Sequence, residues 1–308
     1  MFDAGHFAGK TVLVTGASGF IGAHLCRRLG ELGSEVHGVS RSPQTGGRVD
    51  RWWQVQLDDE PATRTLIGDL RPDIIFHLAS FVSGKRDLSC VSTALHGNLL
   101  STVNLLTGAA EYGQPRVVLT GSLEEPEGEI DSAVPVSPYA AAKGAASLYG
   151  RLFYALYGVP VVTARLFMVY GPDQKDRSKL VPYVILSLLK GESPKLMSGT
   201  REVDWVYVDD VVDAYLALAS KPGIEGQAID VGSGELTAVR DVVGQLFGIV
   251  SPGALPEFGG VADRPLERVR VADTARSFGL AGWRPSTPLA DGLRKTVDWY
   301  RHHTSADQ

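Results

Sequence analysis

The run Lys10-Thr11-Val12-Leu13-Val14-Thr15-Gly16-Ala17-Ser18-Gly19-Phe20-Ile21-Gly22 constrains this chain more than any other stretch. A short apolar segment rich in β-branched residues ends at a glycine, and glycine then recurs at every third position. Ile21, Leu25 and Leu29 follow at helical spacing, so the stretch predicts a strand, a tight turn and a helix. Gly16 and Gly19 allow the backbone to turn sharply and approach a ligand. The helix behind them offers unpaired N–H groups and a partial positive charge, which suits a pyrophosphate. Gly22 would let that helix lie close against the strand, and Ser18, Phe20 and Ile21 complete the expected cradle.

The rest of the first half repeats the alternation of strand and helix. Residues 35–42 predict a second strand ending at Ser40 and Arg41. In a dinucleotide-binding fold this strand end meets the adenosine ribose, and an acidic residue there serves NAD. Ser40 followed by Arg41 suits a 2′-phosphate instead, so NADP(H) is favoured and NAD(H) stays possible. Residues 53–57 predict a third strand, and Pro61 opens a helix to Leu70 behind Asp58, Asp59 and Glu60. Residues 74–79 are an apolar strand of the kind buried in a parallel sheet, with His77 expected to pack beside the cofactor. A long helix over 88–112 carries Asn98 and Asn104 on one stripe. A strand over 116–120 leads into Gly121-Ser122-Leu123-Glu124-Glu125. Ser137-Pro138 starts a helix over 139–157, and 161–166 is a sixth strand. This rhythm predicts an α/β fold, a doubly wound parallel sheet with its ligand crevice beyond the carboxyl ends of the strands. Thr15, Ser40, Ala79 and Ser122 should face that cleft.

The second half is less regular. It predicts helices over 180–190 and 211–218, a helix to Phe247 capped by Thr237, and a last amphipathic helix over 288–300. The expected organisation is a dinucleotide-binding domain over 1–170, completed by parts of 204–232. A smaller substrate lobe over 171–308 is interleaved with the end of the sheet. Composition narrows the partners. Hydrophobic residues at 44% and charged ones at 21% describe a soluble protein with a sizeable core. A net charge of -5 argues against a nucleic-acid surface, and no apolar run approaches the length of a membrane span. The N-terminus lacks the marks of a signal peptide, and two cysteines, Cys26 and Cys90, form no disulfide framework. A cytoplasmic protein is therefore expected, and no metal site.

Tyr139-Ala140-Ala141-Ala142-Lys143 puts a phenol and an ammonium on one helix face. The pair opens the helix after the fifth strand, which ends in Ser122, so three polar groups can converge in the cleft. A nearby ammonium should lower the phenol's pKa from its usual value near ~10. The phenol could then exchange a proton at a carbinol or carbonyl while a cofactor moves hydride, with Ser122 bonding the same oxygen.

These motifs resemble the extended short-chain dehydrogenase/reductases, in the branch acting on nucleotide-diphosphate sugars. The resemblance also covers His77-Leu78-Ala79, Asn98, Val169-Tyr170-Gly171-Pro172, the run Asp204 to Asp210, and Asp230-Val231-Gly232-Ser233-Gly234. It implies that Tyr139 is the general acid/base, Lys143 its partner and ribose ligand, and Ser122 the carbonyl ligand. It assigns Leu57, Leu78, Ala79 and Ser80 to the cofactor and gives Asn98 a structural role. It also implies a homodimer through the helices containing Asn98 and Tyr139, to which Leu148, Tyr149 and Leu152 could contribute.

Departures from the family pattern bear on the reaction. Sugar dehydratases resemble one another in carrying Asp-Glu directly after the cleft hydroxyl, whereas this chain has Leu123-Glu124, which disfavours dehydration. Gly121 to Glu125 is similar to the Gly-Ser-Ser-Glu-Glu of 4-keto-6-deoxy sugar nucleotide reductases, and Glu124 is a candidate sugar ligand. Met168 stands where the family often has an asparagine that touches the substrate. Arg201 is displaced by two positions from the usual arginine, and Gln56 replaces a common adenine-binding aspartate. Arg201 and Arg268 are candidate diphosphate ligands. The expected activity is NADPH-dependent reduction of a nucleotide-diphosphate 4-keto-6-deoxyhexose. The alternatives are an NAD-dependent epimerase acting by transient oxidation and, further off, a non-catalytic NADP-binding protein.

Overall fold

The computed structural model describes residues 3–46, 48–126, 134–262 and 269–304. Its chain divides into two compact units. One holds the residues to Leu166 with Val212–Asp230 and Ala275–Trp283, and the other holds Phe167–Val211, Val231–Thr274 and the residues from Arg284. Among the described residues no helix is long and apolar enough to cross a membrane.

The first unit is built on parallel strands. They are β1 (Thr11–Thr15), β2 (Glu35–Ser40), β3 (Arg51–Gln54), β4 (Ile74–His77), β5 (Arg116–Ser122) and β6 (Val161–Leu166). They lie in the order β3-β2-β1-β4-β5-β6, with the segment Ala228–Val231 added beyond β6. Register is continuous through the centre, where Leu13 lies opposite Ile75, and Ile75 opposite Val117. All four residues of β4 are buried, as a central strand covered on both faces requires. The strand order reverses between β1 and β4, which is where such sheets open a ligand crevice.

Helices α1 (Phe20–Glu31), α2 (Glu60–Leu70), α3 (Ser89–Ala94), α4 (Ser101–Glu111) and α5 (Pro138–Tyr157) connect these strands. Local chemistry fixes their starts. Asp59 accepts from the Ala62 N–H at the head of α2, and Ser137 from the Ala140 N–H at the head of α5. Leu66, Ile67, Leu105, Leu106 and Phe153 close over Leu13, Ile75 and Val117 as one apolar cluster. Each such side chain contributes about 1.5–3 kcal/mol when fully buried.

Three expectations shift. The third strand runs over Arg51–Gln54 rather than 53–57, because Trp53 pairs with Val39 and Leu57 has already turned into the core. The helix expected over 88–112 is interrupted by a π-helical segment, Leu95–Leu100, between α3 and α4. Such segments place one extra residue in a turn and recur at functional sites. Thr237 caps nothing: it lies in a short strand, and Ala238 starts the following helix without a side-chain cap.

The second unit carries a three-stranded sheet. Its strands are β7 (Met168–Tyr170), β8 (Glu202–Tyr207) and β9 (Leu236–Ala238), with β8 central, parallel to β7 and antiparallel to β9. Tyr170 stacks edge-on against Trp205 and Tyr207. The acidic run predicted from the sequence works here as a set of ties. Asp204 accepts from the N–H groups of Gly234 (3.0 Å) and Ala272 (2.9 Å), and from the Ser233 hydroxyl (2.8 Å). Asp210 accepts from the Ser286 hydroxyl at 2.8 Å and the Thr287 N–H at 3.0 Å.

Candidate active site

The glycine turn is built as its sequence requires. Gly16 has φ +70°, and a Cβ there would stand 2.8 Å from the Ala79 nitrogen. The Gly19 N–H closes the turn on the Gly16 carbonyl at 2.9 Å, and Gly19 is the N-cap of α1. The first intrahelical bond runs from the Ala23 N–H to the Gly19 carbonyl, so the amides of Phe20, Ile21 and Gly22 precede it. A glycine cap brings no side chain to occupy them. Three amides at a positive helix end, with side-chain space kept clear by glycine, fit a dinucleotide pyrophosphate. Leu78, Ala79 and Ser80 follow β4 beside this turn and are half-buried.

His77 locks the wall of this region. Its Nδ1 lies 2.8 Å from the Thr15 hydroxyl and its Nε2 3.1 Å from the Thr102 hydroxyl. Thr102 donates its own proton to the Asn98 carbonyl at 2.7 Å, so Nε2 must be the donor to Thr102. Thr15 accepts from the Ala79 N–H at 3.1 Å and donates to Nδ1. One neutral tautomer satisfies the whole network. Burial, and then the Lys143 charge, push the imidazole pKa down to about 3, so His77 packs and ties rather than titrates near neutrality. Asn98 is equally engaged, accepting from the Ser80 hydroxyl and the Phe81 N–H, both at 2.8 Å, and donating to the Phe81 carbonyl.

Ser122, Tyr139 and Lys143 come together within the same unit. Ser122 is the last residue of β5, and Tyr139 and Lys143 lie in the first two turns of α5. The Ser122 hydroxyl is hydrogen-bonded to the phenol. Lys143 lies 6.0 Å from the Tyr139 ring centre and donates to the Thr120 carbonyl at 2.8 Å. Burial lowers its pKa to about 8, against an upward pull from Glu125. The phenol departs from expectation. Its pKa is pushed up to about 12, chiefly by burial, helped by the Glu124 and Glu125 charges and opposed by the Ser122 bond. Lys143 does not bring it down, since at about 8 it has lost its charge before a phenol near 12 titrates.

The remaining predicted residues are placed as follows. Ser40 accepts from the Ser42 N–H at 3.3 Å, and Arg41 is exposed beside it. Leu57 belongs to the core, and its carbonyl is taken by the Asn104 amide and the Thr63 hydroxyl. Glu124 is half-buried, its N–H donating to the Ser122 hydroxyl at 3.2 Å. Met168 and Arg201 belong to the second unit, Met168 opposite Trp205 in the sheet and Arg201 just before β8. Arg268 lies outside the described residues. The sequence reading missed the partners beneath the trio: Thr120, which receives Lys143, and the buried Glu125, which accepts from the Ser122 N–H at 2.8 Å. The one available signal was the glycine at 121, which leaves room for that carboxylate.

Comparison with known proteins bears on this geometry. The model of the NAD dependent epimerase/dehydratase family matches residues 12–232. The chain is 33% identical to a UDP-glucose 4-epimerase of Mycolicibacterium smegmatis, covering 94% of this chain and 98% of the relative. It is 30% identical to a probable dTDP-glucose 4,6-dehydratase of Sinorhizobium fredii, over 94% and 92%. Among solved structures, the UDP-glucose 4-epimerase of Thermus thermophilus in complex with NAD superposes with a TM-score of 0.81. It has 29% identity, over 95% of this chain and 99% of that one.

Proposed function

The chain belongs to the NAD-dependent epimerase/dehydratase family, enzymes of the extended short-chain dehydrogenase/reductase type, and on that premise we propose that it is a nucleotide-sugar 4-epimerase. Its substrate would be a UDP-hexose, oxidised transiently at one sugar carbon and reduced on the other face. The observation that carries this reading is the grouping of the buried Ser122 and Lys143 with the half-buried Tyr139, in a chain similar over nearly its whole length to an epimerase. The residues alone favour a ketoreductase; the relatives tip the balance the other way.

A bound nicotinamide nucleotide would take up and return the hydride. The amides of Phe20, Ile21 and Gly22 would hold its pyrophosphate. Tyr139 accepts the proton of the sugar hydroxyl during oxidation and gives one back during reduction. Ser122 donates a hydrogen bond to the same oxygen, and Lys143 supplies positive charge beside it. Dehydration is disfavoured because Leu123 follows the cleft hydroxyl and brings no acid for a leaving hydroxyl.

A second reading rests on a separate observation. Strand β2 ends in Ser40 and an exposed Arg41, with no carboxylate to meet a ribose hydroxyl. That end suits NADP(H) and an NADPH-dependent 4-ketoreductase. Incubation with UDP-glucose and either oxidised nucleotide separates the two. The epimerase forms the 4-epimer without net cofactor change. The ketoreductase leaves UDP-glucose untouched and consumes NADPH with a 4-keto-6-deoxy sugar nucleotide.

The proposal includes a homodimer through the helices bearing Asn98 and Tyr139. Leu148, Tyr149 and Leu152 on α5 remain 40–44% exposed, and Val91 and Leu95 are 47% and 48% exposed. An apolar face of this kind marks an interaction surface. Sedimentation velocity at micromolar concentration is expected to show a dimer that Leu152→Arg converts to monomer. A wild-type monomer would remove this part of the proposal.

A further inference from the structure

We propose that Glu125 is the positioning residue of this site: its buried carboxylate fixes the Ser122 turn and supplies the negative charge that balances Lys143. The inference rests on reading Ser122, Tyr139 and Lys143 as the reacting trio.

A carboxylate that is only 6% exposed is costly unless its oxygens are bonded or paired. Oε1 accepts from the Ser122 N–H at 2.8 Å. Oε2 lies 3.8 Å from the Arg165 Nε, an ion-pair distance. The Ser147 hydroxyl, one turn beyond Lys143 on α5, donates a further bond. Arg165 is itself paired with Asp230 at 2.9 Å, so two carboxylates share one guanidinium beneath the trio. Burial pushes the Glu125 carboxyl above its usual range, while the Ser122 N–H, Arg165, Ser147 and Lys143 favour its charged form. Room for this exists only because residue 121 is glycine, since a Cβ there would stand 2.5 Å from Oε1. Glycine and glutamate at 121 and 125 therefore form one device.

The device faces both reacting groups. Towards α5 it meets Tyr139, Lys143 and Ser147; towards β6, Arg165 and through it Asp230; on its own turn, Glu124. His77, on β4, is neutral and responds to Lys143. The carboxylate charge raises the pKa of the phenol and of the ammonium alike, because it opposes phenolate formation and favours the protonated lysine. Without it, a lysine that burial holds at about 8 even against this pull would lose its charge nearer neutrality.

The test is the pH–rate profile of Glu125→Gln, which keeps an acceptor for the Ser122 N–H and removes the charge. Both limbs are expected to move to lower pH by about one unit. Glu125→Asp keeps the charge but shortens the reach; it should lower kcat roughly tenfold with the limbs in place. A glutamine variant with reduced kcat and unmoved limbs, or an aspartate variant whose limbs move as far, would overturn the proposal. Should Glu125→Gln fail to fold, Asp230→Asn removes the same net charge from a more distant position. It should move the limbs in the same direction, and unmoved limbs would again count against the role. Tyr139→Phe in the same series separates the layers. If it turns over normally, the reading of the trio fails; if it is inactive while the glutamine profile stays put, only the role of Glu125 fails.

Discussion

Tyr139→Phe is expected to lower kcat by roughly 10²–10⁴-fold while leaving affinity for the nicotinamide nucleotide within about twofold. The phenylalanine keeps the ring and its packing and removes only the oxygen that shares a hydrogen bond with Ser122. Because the phenol pKa is pushed up to about 12, it is protonated at neutral pH and ready to act as the acid of the reductive half-reaction. Acting as base is the harder task. It requires the pKa to fall, and the positive charge of an oxidised nicotinamide ring beside the phenol would lower it. In the oxidative direction the rate should therefore rise with pH as the phenolate fraction grows, and that dependence should vanish in the variant. Single-turnover kinetics on either side of neutrality would measure both effects. Wild-type turnover in Tyr139→Phe would end the assignment of Tyr139 as acid and base.

The second large effect is expected at Gly22. An alanine Cβ there would stand 2.2 Å from the Gly16 carbonyl oxygen, 2.9 Å from its carbon and 3.0 Å from the Ala17 Cα, all of them backbone atoms. No side chain can rotate away, so α1 must shift off the turn. Overpacking of this kind costs about 1–3 kcal/mol, and the shift also moves the Phe20 to Gly22 amides that would hold the pyrophosphate. Gly22→Ala should lose nucleotide affinity at least about tenfold, because charge-assisted bonds depend steeply on geometry. Its melting temperature should drop by several degrees. Gly30→Ala is the control: it lies in the same helix with nothing within 4 Å of its would-be Cβ, and should be neutral or mildly stabilising. Equal behaviour of the two variants in calorimetry and nucleotide titration would contradict this account of the glycine turn.

Much of the first unit was legible because its signals are local. The apolar runs that become β1, β4, β5 and β6 carry their burial in their composition. Ser137-Pro138 announces α5 by its capping chemistry. The third strand starts two residues earlier than expected because its bounds are set by the pairing of Trp52 with Gly38 and Trp53 with Val39, which its own stretch does not show. In the second unit, β7, β8 and β9 are short and paired across distant segments, so no single stretch shows its partner. Tyr139 and Lys143 could be found from spacing and context. The direction of the phenol pKa could not, because burial and the charge of Glu125 arise only when β5, β6 and α5 pack. The family pattern identified the cofactor class and left the reaction open, since the same acid and base serve a reductase and an epimerase.

The most direct measurement is of the purified protein with UDP-glucose and a catalytic amount of NAD, following hexose configuration by NMR and reduced cofactor by absorbance. The 4-epimer is expected to form to equilibrium with no net accumulation of reduced cofactor. No interconversion with NAD or NADP, together with stoichiometric oxidation of NADPH by a 4-keto-6-deoxy sugar nucleotide, would contradict it.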